Sequence, residues 1–216
     1  MTTTVIFDLD GVLVDSRAVF LACVNHAFAK LGLPPRSDAE LLPYIGPPFP
    51  YAFGELLGVA HDAPIVTACI DGYRERYKTA SLTETTVAPG IPEALHALHG
   101  HRLAVATSKP KAFAVPLLDA MRIGGHFSVV AGPDLADPAE DKTATLGRAL
   151  HELGPTRAVM VGDRSFDIVA AHAHGLPAIG VRWGIGTHKE LHDAGAERII
   201  GHPEDLAATA AVLLGD

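Results

Sequence analysis

Two aspartates two residues apart, Asp8 and Asp10, follow the apolar run Thr4-Val5-Ile6-Phe7. Two more, Asp163 and Asp167, follow Ala158-Val159-Met160-Val161, while Thr107, Ser108 and Lys109 follow Leu103-Ala104-Val105-Ala106 and Lys142 opens a helical pattern. Four carboxylates at one edge repel: a pair ~4 Å apart costs roughly 4 kcal/mol at an effective dielectric near 20. A divalent cation with oxygen ligands removes that cost, and Mg²⁺ suits a few carboxylates, a carbonyl, waters and a phosphate. The chemistry these residue types allow is phosphoryl transfer. Asp8 is the candidate nucleophile, forming an acyl phosphate that water later cleaves. Asp10 is the candidate acid and base, because positions i and i+2 of an extended strand point the same way and both reach one phosphorus. Thr107, the Ser108 N–H and Lys142 are candidates to hold the non-bridging oxygens, where charge builds up. Asp163 is expected to bind the cation directly and Asp167 to act through a water.

Each motif also has a plainer reading. Asp8 and Asp10 would serve as acidic turn residues with Gly11 making the turn. Asp163 would cap a helix, and Thr107-Ser108 would cap the helix that begins near Pro110. The chemical reading is favoured because every motif falls at the end of a strand that a parallel sheet aligns along one edge. The segment 132–141 is acidic and Pro-rich, so Lys142 sits beside Glu140 and Asp141. That neighbourhood keeps Lys109 open as the alternative phosphate-binding lysine.

The elements that must position these residues are legible as runs. Thr4–Phe7, Leu103–Ala106, Ser128–Ala131, Ala158–Val161 and Ala178–Val181 are apolar on both faces, the pattern of buried parallel strands. Helical patterns over 110–121, 142–153 and 165–174 separate them, which predicts an α/β, Rossmann-like doubly wound parallel sheet. The stretch 203–214 reads as an amphipathic helix closing the core. Residues 16–87 break the rhythm with helical patterns near 17–31, 51–58 and 63–79. This predicts an inserted all-helical cap over 16–87, with the α/β core made of 1–15 and 88–216. An insert at the C-terminal edge of the first strand covers the ligand edge of such a sheet. Its specificity candidates are Tyr44, Gly46 and Phe49 in the Pro/Gly-rich loop, and Arg74 on the last cap helix, with Lys109 from the core.

With 216 residues, 48% apolar and 19% charged, the chain has the makeup of a globular protein large enough to need no disulfide or structural metal. A net charge of −8 argues against nucleic acid and anionic membranes as partners. It also opposes anionic substrates unless a cation corrects the field, which is a second reason to expect Mg²⁺. Cys23 and Cys69 match no redox or metal spacing and are expected reduced, as in a cytoplasmic protein. The start lacks a signal-peptide pattern, and no apolar run approaches ~20 residues. His96, His99 and His101, and the pair His188 and His192, have no cysteine or carboxylate framework for a zinc site.

The segments F-D-L-D-G-V-L-V-D-S (7–16), A-T-S-K-P (106–110), Lys142 and V-G-D-R-S-F-D-I (161–168) resemble the four motifs of the haloacid dehalogenase-like hydrolase superfamily. The resemblance runs nearly end to end. Y-I-G-P-P-F (44–49), I-G-V-R-W-G-I-G (179–186) and E-L-H-D-A-G-A-E (190–197) are similar to the phosphoglycolate phosphatase-like branch with a helical cap. The resemblance implies Asp8 as nucleophile, Asp10 as acid and base, Mg²⁺ held by Asp8, the Asp10 carbonyl and Asp163, and phosphate held by Thr107 and Lys142. It implies a phosphatase for a small phosphorylated metabolite, since dehalogenases of this fold lack the second aspartate. A 5'-nucleotidase, a sugar-phosphate phosphatase or a phosphomutase are alternatives, although mutases usually carry Glu-Asp where this chain has Gly162-Asp163. A non-catalytic phospho-acceptor, like a receiver domain, is the alternative of another class. Monomer and dimer are both open.

Overall fold

The β-branched runs become strands and the interruptions between them become helices, as seen in a computed structural model that describes residues 2–136 and 140–215. Among these residues the chain begins with β1 (Thr3–Phe7), β2 (Val14–Asp15), α1 (Arg17–Lys30), α2 (Asp38–Leu41), α3 (Phe49–Leu57) and α4 (Pro64–Thr83). It continues with β3 (Thr86–Val87), α5 (Ile91–Ala97), β4 (Arg102–Ala106), α6 (Lys111–Ala120), β5 (Phe127–Ala131) and α7 (Lys142–Leu153). The last elements are β6 (Arg157–Gly162), α8 (Ser165–Ala173), β7 (Ala178–Val181), α9 (His188–Asp193), β8 (Arg198–Ile200) and α10 (Leu206–Leu214).

Six strands form one parallel sheet in the order β5-β4-β1-β6-β7-β8. The chain runs outward from β1 through β4 to β5, then crosses back to β6 and runs the other way. The order therefore reverses between β1 and β6, the switch point where such sheets bind ligands. Alternation along β1 divides the core between the two faces. Val5 and Phe7 join a cluster with Leu117 of α6 and Leu206 of α10. Ile6 joins Met160, Leu146 of α7 and Ile168 of α8 on the other face. Each fully buried side chain of this size contributes roughly 1.5–3 kcal/mol, so the two apolar faces fix the strand register and hence the edge where the polar residues emerge.

The chain divides into two compact units, residues 16–85 and the remainder. The boundary differs by two residues from the sequence expectation. Thr86 and Val87, read as part of the insert, pair antiparallel with Asp15 and Val14 and belong to the sheet unit. In the helical unit α1 packs along α4, where Gly72 lets the backbone of Ala27 approach closely. An aromatic cluster fills the unit, with Phe49 4.5 Å from Tyr73 and Tyr73 stacked on Tyr77 at 5.2 Å. Asn25 closes the following loop by exchanging two hydrogen bonds with the Arg36 backbone, at 2.8 and 3.0 Å. No helix among the described residues is long and apolar enough to cross a membrane.

Candidate active site

The strand register sets the site. Phe7 pairs with Val105 on β4 and with Val161 on β6, so Asp8, Thr107 and Asp163 all emerge just past aligned strand ends. Asp8 extends the ladder by one bond, its N–H donating to Val161 O at 2.9 Å, and Thr107 N–H does the same to Ala131 O at 3.0 Å. The chain then turns sharply, with Leu13 and Val14 N–H both reaching Leu9 O and Gly11 at φ +83°. The extended geometry expected for the Asp8–Asp10 pair thus stops at Asp8, because the turn begins one residue later. Asp10 lies in the turn, bridged to Val14. Its charge still bears on Asp8, and its carboxylate accepts from the Lys109 ammonium at 2.7 Å.

Lys142 stands between two of the acids. Its ammonium donates to Asp8 Oδ1 at 2.5 Å and lies 2.9 Å from Asp167 Oδ1. Burial alone would lower the Lys142 pKa, but the Asp167 and Asp8 carboxylates outweigh it and raise the pKa. Neither acidic neighbour in sequence competes. Asp141 caps α7, accepting from Ala144 N–H at 2.8 Å, and Glu140 accepts from Thr145 Oγ1 at 2.6 Å and Arg148 Nη1 at 2.7 Å. The other guanidinium nitrogen of Arg148 holds the Gly132 carbonyl at 2.5 Å, so the acidic segment is tied back to its own helix. Residues 137–139 of that segment lie outside the described residues. Both candidate lysines are in the site, Lys142 at Asp8 and Lys109 at Asp10.

Burial, then the charges of Asp167 and Asp10, push the Asp8 carboxyl up to about 6 against the opposing pull of Lys142. Burial, Asp167 and Asp8 raise Asp163 well above the usual carboxylate range. Asp163 uses one oxygen, Oδ2, to accept from Ile185 N–H at 2.7 Å. Its Oδ1 is buried without a hydrogen-bond partner, a costly state for a carboxylate unless something is coordinated there. Oxygens of Asp8, Asp163 and Asp167 come within 4.8 Å of one another. Four carboxylates meet two ammonium groups, leaving two negative charges, the number one divalent cation cancels. An all-oxygen donor set with one orphaned carboxylate oxygen fits a hard divalent metal ion.

Among the remaining candidates, Thr107 is buried and its Oγ1 accepts from Lys109 N–H at 3.1 Å, while Ser108 is exposed at the same strand end. Asp167 sits in the first turn of α8, and its Oδ2 takes the Arg164 N–H at 3.1 Å, which fixes the carboxylate as that helix's cap. Tyr44, Gly46, Phe49 and Arg74 belong to the helical unit. Phe49 is engaged in its aromatic core, packed on Tyr73 and Phe53, while Tyr44 and Arg74 are half-buried and Gly46 is exposed. The loop Trp183-Gly184-Ile185-Gly186, read in the sequence as part of a resemblance and as loop packing around Trp183, meets Asp163, a contact that sequence reading did not anticipate. Its signal was two glycines flanking an apolar residue after a strand. Sequence reading also missed Glu190, which accepts from Arg164 Nε and Ser165 N–H, both at 2.9 Å. The thiols offer no competing nucleophile, since burial raises both and pushes Cys23 up to about 11.

A family model described as haloacid dehalogenase-like hydrolase matches residues 5–181. A 5'-nucleotidase of Pseudomonas aeruginosa is 35% identical over 213 residues, covering 97% of this chain and 94% of the relative. A plasmid-encoded phosphoglycolate phosphatase of Cupriavidus necator is 32% identical, covering 95% of this chain and 92% of the relative. The crystal structure of a predicted phosphatase from Clostridium acetobutylicum superposes with a TM-score of 0.91 at 31% identity, covering 99% of this chain and 100% of that one.

Proposed function

The chain belongs to the haloacid dehalogenase-like hydrolase family, and from that premise we propose that it hydrolyses small phosphate monoesters through an aspartyl phosphate on Asp8, with Mg²⁺. The observation that carries this reading is the pairing of a buried carboxylate, Asp8, with a second one, Asp10, at the switch point of the sheet, each gripped by its own lysine.

In the first half-reaction an Asp8 oxygen attacks phosphorus, the bond from phosphorus to the ester oxygen breaks, and Asp10 gives its proton to the leaving alkoxide. In the second, Asp10 takes a proton from water, the water oxygen attacks the same phosphorus, and the Asp8–phosphorus bond breaks to release inorganic phosphate. Lys142 ties up Asp8 Oδ1 and leaves Oδ2 to attack. Lys142, Thr107 and the Ser108 N–H hold the non-bridging oxygens as charge accumulates on them. Asp8, the Asp10 carbonyl and Asp163 would hold Mg²⁺, and Asp167 would act on it through a water. When bound, the ion neutralises the excess acid charge and attracts the phosphate dianion. Asp10 distinguishes this chemistry from a phospho-acceptor without turnover, because it serves both the leaving group and the water.

The helical unit is proposed as the cap that selects the leaving group, with Tyr44, Gly46, Phe49, Arg74 and the core's Lys109 as specificity residues. The buried free thiols Cys23 and Cys69 support a cytoplasmic location. The names of the relatives make nucleoside 5'-monophosphates and phosphoglycolate the first substrates to try. Phosphate release from p-nitrophenyl phosphate tests the chemistry: turnover requires Mg²⁺ and is abolished by EDTA, Asp8→Asn or Asp10→Asn. Full activity in Asp8→Asn sinks the mechanism. A phosphate-release panel of small monoesters then ranks the substrates.

A further inference from the structure

We propose that the loop Trp183-Gly184-Ile185-Gly186 is a positioning device for Asp163, deciding which of its carboxylate oxygens is presented to the cation; this rests on Asp163 being a cation ligand. Four observations converge on the loop. Ile185 N–H donates to Asp163 Oδ2 at 2.7 Å, and Oδ1 is the oxygen left buried and without a hydrogen-bond partner. The amide fixes the orientation of the carboxylate and occupies one oxygen, which leaves the other, Oδ1, for the cation. Glycines make that approach possible. A Cβ on Gly184 would run into the Asp163 carboxylate, and one on Gly186 would run into the Asp163 carbonyl. A Cβ on Gly11, in the turn after Asp8, would meet the same carboxylate from the other side. Asp163 is therefore enclosed by backbone from two loops and is 1% exposed.

The loop itself is tied at both ends. The Trp183 indole Nε1–H donates to Val12 O at 3.0 Å, joining the loop to the turn that carries Asp10 and Gly11. Beyond Gly186, the Thr187 side chain caps α9 by accepting from Glu190 N–H at 3.1 Å. The Glu190 carboxylate then takes Ser165 N–H and Arg164 Nε, both 2.9 Å away, on the residues directly after Asp163. Burial opposes ionisation of Glu190, but the hydrogen bonds from Ser165 and Arg164 hold its carboxyl below the usual range. The amide that orients Asp163 is thus anchored to both segments bearing the acids. Contacts of this kind behind a ligand commonly change metal affinity by roughly 10–100-fold.

The experiment is calorimetric titration of the full chain with Mg²⁺, alongside phosphate release at increasing Mg²⁺. Gly184→Ala inserts a methyl against the carboxylate. Trp183→Phe keeps an aromatic ring in the same place while deleting the indole donor, which guards against a variant that fails to fold. Expected are a Mg²⁺ Kd weakened roughly 10-fold or more in Gly184→Ala and several-fold in Trp183→Phe, with turnover recovered at high Mg²⁺. Wild-type Mg²⁺ affinity in both variants, with binding lost in Asp163→Asn, overturns the inference and leaves the proposed function standing. Absence of Mg²⁺ binding by the unaltered chain overturns both.

Discussion

The ammonium of Lys109 lies 2.7 Å from the Asp10 carboxylate, although 99 residues separate them. Two backbone contacts keep that lysine in place. Its N–H donates to Thr107 Oγ1, and Gly132 passes so close to its carbonyl that no side chain would fit there. Asp10 sits in a turn, not a strand, so Lys109 does the orienting that strand geometry was expected to do. Removing it takes away one hold on the carboxylate, and misplacement by about 1 Å costs on the order of 100-fold in rate. Lys109→Met is expected to lower kcat by roughly 10–100-fold with a smaller change in KM, and Lys109→Arg to recover part of it. An unchanged kcat in Lys109→Met refutes the role.

The raised Asp8 and Asp163 carboxyls make an explicit prediction for stability without metal. Burial, with neighbouring acids, carries Asp8 from 3.8 to about 6 and raises Asp163 well above its usual range. A carboxyl whose folded pKa exceeds its unfolded value binds more protons when folded, so stability falls as pH rises through that window. In EDTA the Tm is expected to drop between pH 5 and 7, with Asp8 alone contributing about 1.4 kcal/mol for the one pH unit between pH 5 and its folded pKa, a fall of a few degrees at this chain size. The depressed carboxyls Glu190 and Glu197 lose their contribution below that window and do not mask it. Asp8→Asn is expected to melt higher than the unaltered chain at pH 7. A Tm that climbs from pH 5 to 7 in EDTA contradicts the assignment.

Much of this site could be read before any coordinates. Asp8, Thr107 and Asp163 were legible because each follows an apolar β-branched run, and a parallel sheet aligns the ends of such runs. Lys142 was obscured by Glu140 and Asp141, whose charges looked like competitors. Structure assigns them to Arg148, Thr145 and the helix cap instead. Other features carry little one-dimensional signal. β8 has three residues, one of them charged, and β2 and β3 have two each, too short for periodicity. The Lys109–Asp10 and Trp183–Val12 contacts span 99 and 171 residues and depend on where turns bring backbone together.

The Arg148 guanidinium bridges Glu140 and the Gly132 carbonyl, tying the start of α7 to the end of β5. Arg148 is 39% exposed at its side chain, so the ion pair itself is worth at most about 1 kcal/mol. Arg148→Met keeps the aliphatic stem and is expected to lower the Tm by roughly 2–4 °C. Because Lys142 is the first residue of α7, turnover should fall by a few-fold as well. A drop in Tm without any effect on turnover would show that α7 holds Lys142 without this tie.

Excess acid charge at the strand ends predicts strong stabilisation by a divalent cation. Four carboxylates face two ammonium groups, and Asp163 Oδ1 is buried without a hydrogen-bond partner. A ligand that binds only the folded state at 100 times its Kd stabilises it by about 2.7 kcal/mol, which is roughly 5–11 °C for a chain of this size. Mg²⁺ is therefore expected to raise the Tm by that order at pH 7.5 and by much less at pH 5, where raised carboxyls hold protons that compete with the ion. Asp163→Asn should melt no lower than the unaltered chain in EDTA, since it removes a buried repulsive charge, yet gain little from Mg²⁺. Equal gains in the unaltered chain and Asp163→Asn would place the cation elsewhere and leave the orphaned oxygen unexplained.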